Sequence, residues 1–139
     1  MSVEKQNGQN EMALSASGEN EKFEPSRVKT LVVLAADCVG RGNDELGRGI
    51  VTNFVKTMKE MGDDLWRLVL LNGGVKLAVD DSAVLGDLQE LAGKGLGILV
   101  CGKCLETFGL AEKRQVGEKA NMLDIVTSMQ VADKVISLA

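Results

Sequence analysis

Short unbroken apolar runs alternate with amphipathic stretches along most of this chain, and that alternation limits its fold more than any other feature. Residues 28–37, VKTLVVLAAD, form the first run and end in a polar, glycine-containing loop. A continuous run of this kind suits a strand covered on both faces. Residues 44–62, DELGRGIVTNFVKTMKEMG, follow with helical spacing: Leu46, Ile50, Phe54 and Met58 recur every four positions, with Val51 and Val55 beside them. Asn43 is the expected N-cap and Gly62 the expected stop. The pattern then repeats, with strands expected at 64–72, 97–101 and 133–139. Helices are expected at 82–95, capped by Ser82 with Leu85, Leu88, Leu91 and Ala92 on one face, and briefly at 104–110. A last helix is expected at 121–132, capped by Asn121 with Met122, Ile125, Val126 and Met129 facing inward. Strands alternating with helices imply right-handed crossovers, hence a three-layer α/β/α domain with a mostly parallel sheet of about five strands.

The rest of the composition narrows the chemistry. The chain has 139 residues, enough for one domain. Residues 1–27 are rich in Glu, Gln, Asn, Ser and Gly and hold few large apolar groups, so they are expected to be a disordered lead or linker ahead of a domain at 28–139. His and Tyr are absent, which excludes Ser-His-Asp and Cys-His catalysis and any His metal ligand. A net charge of −4 argues against a nucleic-acid surface. No stretch has the length and hydropathy of a membrane span, and the first thirty residues lack the apolar segment of a signal peptide, so a cytoplasmic location is the default expectation. There the three cysteines would be mostly reduced, which favours a reactive role over a structural disulfide.

In open parallel sheets, ligands bind beyond the carboxyl ends of the strands. That rule nominates three loops: residues 37–44, with Cys38 and Arg41; residues 72–76, with Asn72, Gly73 and Lys76; and the sequence Cys101-Gly102-Lys103-Cys104. The last is the sharpest feature. Cys101 would end a strand and Cys104 would enter a helix, where unpaired amides and the dipole stabilise a thiolate. Lys103 adds a positive charge, and Gly102 allows a tight turn. The bland alternative is two buried, inert cysteines. A thioredoxin-type pair is disfavoured because the only proline, Pro25, precedes the domain and no cis-proline can face the cysteines. A closed zinc site wants four Cys or His ligands, and the chain has three cysteines and no His. Residues 41–45 are better explained as cap and helix entry than as a phosphate loop, because Asp44 and Glu45 occupy the first turn and would repel an anion. Cys38 is either a third member of the site or, the favoured expectation, a small apolar filler at a strand end, and Asn72-Gly73-Gly74 is a turn whose amides secondarily line a pocket.

Taken in order, these residues resemble a known family. The landmarks are Ala36-Asp37, then Gly40-Arg41-Gly42-Asn43-Asp44-Glu45-Leu46-Gly47, then Asn72-Gly73-Gly74-Val75-Lys76-Leu77. They continue with Val84-Leu85, Cys101-Gly102-Lys103-Cys104-Leu105, Gly109-Leu110, Val116-Gly117, Asn121-Met122 and Ala132-Asp133-Lys134-Val135-Ile136. From about Val28 onward the chain resembles the C-terminal, DsrE-like domain of the YedF-type selenium-metabolism proteins, which are similar to sulfurtransferases. The resemblance implies a three-layer fold, homo-oligomers and sulfur relay, with Cys101 at the position that accepts a sulfane sulfur as a persulfide and no metal or organic cofactor. It also implies a partner: a TusA-like domain, which usually precedes this one, or another sulfur or selenium donor protein. Cys38 stands where a Thr or Ser is common in that group. The expected function is therefore a sulfur or selenium carrier using Cys101, with Cys104 as resolving or tuning thiol. The rival is a non-catalytic interaction or oligomerisation domain with structural or redox-sensing cysteines. An anion binder using Arg41 and Lys76 is more distant.

Overall fold

The computed structural model describes residues 28–138. The expected lead, 1–27, lies outside the described residues. The apolar runs form strands β1 (Thr30–Leu34), β2 (Leu65–Leu70), β3 (Gly97–Cys101) and β5 (Lys134–Leu138), joined by β4 (Glu118–Ala120). The helices are α1 (Asp44–Thr57), α2 (Leu85–Gly93), α3 (Gly102–Thr107) and α4 (Met122–Val131). All five strands pair in parallel in the order β4-β3-β2-β1-β5.

That order dictates the layers. Three successive crossovers step in one direction from β1 to β4, and the last returns across the whole sheet to β5. With right-handed crossovers, α1, α2 and α3 share one face and α4 covers the other. Contact between α1 and α2, and an Arg67 (β2) to Ser128 (α4) hydrogen bond of 2.6 Å, agree with this division. β1 is buried along its whole length, as a continuous apolar run requires, and joins Leu68, Val69, Leu70, Val100 and Ile125 in the core.

Local chemistry sets the helix ends. Asn43 caps α1 through its Oδ1, which accepts the Leu46 N–H at 2.9 Å. Asn121 and Asp124 form a reciprocal capping box at α4. α1 tightens into a 3-10 segment, Met58–Asp64, in which Gly62 adopts φ 63°, so the expected glycine stop acts one turn beyond the α-helix. Ser82 does not cap α2: its Oγ accepts the Val84 N–H in the preceding turn, and the helix begins at Leu85.

Two helix faces differ from expectation. On α1 the buried line is Gly47, Val51, Val55 and Met58, while Leu46 and Ile50 are exposed. The helix rotates because Gly47 must lie against the loop after β1. A Cβ there would meet the Val39 carbonyl oxygen at 2.6 Å and Cys38 Sγ at 2.7 Å. On α4, Ile125 and Ser128 are buried, whereas Met122 and Val126 face outward. Apolar residues occur nearly all round this helix, so spacing alone does not choose its inner face.

An ion-pair network ties the end of α1 to α2. Lys56 and Lys59 reach Asp87 at 2.9 and 2.8 Å, and Lys59 and Lys94 reach Glu90 at 3.0 and 3.3 Å. Hydrogen bonds from Lys59 and Lys56 hold Asp87 below the ordinary carboxylate range, and those from Lys59 and Lys94 do the same for Glu90. A carboxylate depressed on folding contributes stability above its unfolded pKa and loses it as pH falls through the folded one. Urea midpoints are therefore expected to hold from pH 7 to about 5 and to decline below about pH 4. Asp87→Asn should lower the neutral-pH midpoint modestly and flatten that decline.

Candidate functional site

The site is built where β3 becomes α3. GILVC supplies an apolar strand between β2 and β4, and Cys101 is both its last residue and the N-cap of α3. Gly102 makes the abrupt change possible beside the edge strand, since a Cβ there would lie 2.8 Å from Lys119 Cγ. The cap is a thiol: Cys101 Sγ accepts the Cys104 N–H at 3.4 Å. Cys104 Sγ in turn accepts the Asn72 N–H at 3.1 Å. Asn72 has φ 46° and is the only non-glycine residue with positive φ among the described residues. Asn tolerates this left-handed conformation better than most residues, at a cost of order 1 kcal/mol. The strained turn after β2 thus aims an amide at a sulfur from β3–α3.

The two thiols differ in environment. Cys101 is 5 % exposed, whereas Cys104 is half-buried. Burial pushes the Cys104 thiol above its ordinary value, and its hydrogen bonding with Cys101 adds to this; the Asn72 amide opposes them without prevailing. The expectation that the helix start would favour the thiolate is therefore corrected for Cys104. Its sulfur is partly removed from water, and one amide does not restore the hydration lost. Alkylation of Cys104 by iodoacetamide is expected to be slower than that of free cysteine at pH 7. The rate should reach its half-maximum above pH about 8.5, the midpoint for a free thiol. A plateau reached below pH 8 would contradict this assignment.

Other nominated residues are distributed around the same sheet edge. Gly73, beside Asn72, packs on the loop after β1; a Cβ there would lie 3.4 Å from Asp37 Oδ1. Lys76 Nζ sits over the Phe108 ring, 4.8 Å from its centroid. Lys103 and Arg41 are exposed and form no ion pair among the described residues. Cys38 is half-buried in the loop after β1, and its thiol donates to the Asp44 carbonyl at the start of α1 at 3.3 Å. It is thus a hydrogen-bonded thiol rather than a plain apolar filler. β2 separates its strand from β3, and no hydrogen bond joins Cys38 to Cys101 or Cys104.

The sequence reading missed Arg48, Thr52 and Phe108, which line a cavity beside this edge together with Lys76 and with Asp37 of the nominated loop after β1. Their only signal is that α1 and α3 both leave from strand ends. Among the described residues, no cluster of three His, Cys, Asp or Glu is suited to hold a metal ion, and no helix is long and apolar enough to cross a membrane.

Solved structures share this fold. The chain resembles the structure of the ychN protein from E. coli, with a TM-score of 0.61 at 16% identity, over 79% of this chain and 99% of that one. A protein of unknown function from Methanobacterium thermoautotrophicum, MTH1491, matches with a TM-score of 0.60 at 19% identity, over 79% and 98% of the two chains. A conserved protein of unknown function from Bacteroides thetaiotaomicron, BT1422, matches with a TM-score of 0.54 at 20% identity, over 78% and 94%. No curated protein sequence matches. Residues 49–138 match the DsrE/DsrF-like family, and with the five-stranded parallel sheet already described this chain belongs to that family.

Proposed function

We propose that this protein carries sulfane sulfur, or its selenium analogue, as a persulfide on Cys101, with Cys104 as the resolving or tuning thiol. The observation that carries the reading is the chain of two backbone amides, Cys104 to Cys101 and Asn72 to Cys104, each directed at a sulfur. Amide donors stabilise negative charge on sulfur, which both steps require.

In the first step the Cys101 thiolate attacks the outer sulfur of a donor persulfide R–S–SH. The donor S–S bond breaks, a Cys101–S–SH forms and R–S⁻ leaves. In the second, the Cys104 thiolate attacks Cys101 Sγ, giving a Cys101–Cys104 disulfide and hydrosulfide, HS⁻. An external thiol then reduces the disulfide. Because Cys104 is held largely protonated near neutral pH, the second step is slow and the persulfide persists long enough to be handed on. Limited exposure of Cys101 favours the same outcome, since persulfides lose sulfur to any free thiol that reaches them. Hydrosulfide release after loading from inorganic polysulfide tests the scheme. Release should accelerate with pH in the range where Cys104 ionises, and should vanish in Cys104→Ser while loading persists. Release unchanged by that substitution would remove Cys104 from the scheme.

The resemblance to the YedF-type C-terminal domain supports a TusA-like domain or another sulfur or selenium donor protein as partner. A second observation favours an assembly role alongside the carrier role. Met122, Leu123, Val126 and Val131 on α4 are 58, 73, 43 and 48 % exposed, and Val135 on the edge strand β5 is 45 % exposed. Clustered apolar exposure of this kind marks an association surface, and self-association would cover it. Leu123→Glu with Val126→Glu should then reduce the sedimenting mass, and an unchanged mass would exclude this surface.

A further inference from the structure

On the α1–α2–α3 side of the sheet, a cavity of about 590 Å³ opens between α1, the loops after β1 and β2, and the end of α3. Its walls carry four charged side chains: Asp37 after β1, Arg48 on α1, Lys76 after β2 and Asp81 ahead of α2. None of the four is in an ion pair among the described residues. The Lys56–Lys59–Asp87–Glu90–Lys94 ion-pair network has no member on these walls. Two cations and two carboxylates that ring one cavity without meeting each other match a ligand bearing both signs of charge.

Other features fit the same ligand. Stacking on Phe108 positions the Lys76 ammonium without neutralising it. Ser82 Oγ accepts the Val84 N–H, which leaves its hydroxyl proton free to donate, and Thr52 adds a second hydroxyl. Leu77 and Val79, nearly buried, supply an apolar lining for a short hydrocarbon or thioether chain. The volume falls within the range of roughly 300–1,000 Å³ typical of small-molecule sites.

Two residues of the cavity lining connect to the cysteine pair through neighbouring backbone. Asp37 lies against Gly73, next to Asn72, whose N–H is bonded to Cys104. Phe108 ends the helix that Cys101 caps, and its N–H donates to the Cys104 carbonyl at 3.1 Å. We propose that this cavity binds a zwitterionic α-amino-acid or peptide thiol, with Arg48 and Lys76 taking its carboxylate and Asp37 and Asp81 its ammonium. That the ligand bears sulfur rests on the carrier function; that it is a zwitterion rests on the cavity alone.

The test is calorimetric titration of the full chain with S-methyl-L-cysteine, which has no transferable sulfur. Methylthiopropanoate, lacking the ammonium, and methylthioethylamine, lacking the carboxylate, serve as controls. Arg48→Ala and Lys76→Ala are each expected to weaken S-methyl-L-cysteine binding about tenfold, and each control to bind at least about tenfold more weakly, as loss of one charge-assisted contact implies. Thermal unfolding of both variants should match the parent, because both side chains are exposed. Cys101→Ser should bind S-methyl-L-cysteine like the parent, which separates this site from persulfide chemistry. L-serine binding as tightly as S-methyl-L-cysteine would overturn the sulfur preference and leave a general amino-acid site. No binding, equal binding of the single-charge controls, or binding untouched by both substitutions would overturn the proposal, even if sulfur transfer from polysulfide succeeds.

Discussion

Gly74→Ala is expected to destabilise the protein by about 3 kcal/mol or more, lowering the thermal midpoint by roughly 10 °C. A Cβ on Gly74 would lie 2.0 Å from the Leu34 carbonyl oxygen and 2.9 Å from its carbon, both backbone atoms of β1. Neither neighbour can yield cheaply. The Leu34 carbonyl accepts the Leu71 N–H at 3.1 Å, and the Gly74 N–H donates to the Leu71 carbonyl at 2.7 Å. Relief would have to shift the whole turn after β2, including Asn72. The same substitution should therefore loosen the amide on Cys104 and speed its alkylation. Gly73→Ala is the control: its Cβ would meet Asp37 Oδ1 at 3.4 Å, an ordinary contact, so a small effect is expected. Urea unfolding measures both, and a loss below about 1 kcal/mol for Gly74→Ala would contradict the packing described here.

Cys101→Ser should reduce sulfur loading to the background of the remaining thiols, a loss of about a hundredfold or more in rate, since a serine hydroxyl at neutral pH is a far weaker nucleophile than a thiolate. Serine fills nearly the same volume and can still accept the Cys104 N–H, so the fold should survive. Removing the neighbouring sulfur should also relax part of the upward shift of Cys104, because hydrogen bonding with Cys101 is one of its causes. The pH profile of Cys104 alkylation in this variant is thus expected to move toward lower pH. A profile identical to the parent would mean that burial alone sets the Cys104 value.

The parts of this protein that were legible in its sequence are those decided locally. β1 is an uninterrupted apolar run and is buried throughout. Asn43 and Asn121 announce their helices because capping needs only a side-chain oxygen and two or three following residues. The cysteine pair falls at a strand–helix junction, as its position after GILVC predicted. What was not legible depends on distant partners. β4 is Glu-Lys-Ala, a three-residue edge strand held by pairing with Leu99, Val100 and Cys101 rather than by its own preference. The α1 face is turned by one position because Gly47 meets a loop that precedes it in the chain. The α4 face is ambiguous in a helix with Met, Leu, Ile and Val nearly all round. The Cys104 shift reflects burial, which no motif records. Asn72 was nominated, yet its contribution is a backbone amide in a left-handed turn, and only the tertiary fold reveals where that amide points.

Site-resolved mass spectrometry of the Cys104→Ser protein after brief exposure to inorganic polysulfide addresses the claim on which the rest depends. Without a resolving thiol, one additional sulfur atom should accumulate on the peptide containing Cys101, and the peptide containing Cys38 should stay unmodified. Sulfur found on Cys38, or no gain at Cys101 while a free thiol control is loaded, would contradict the account.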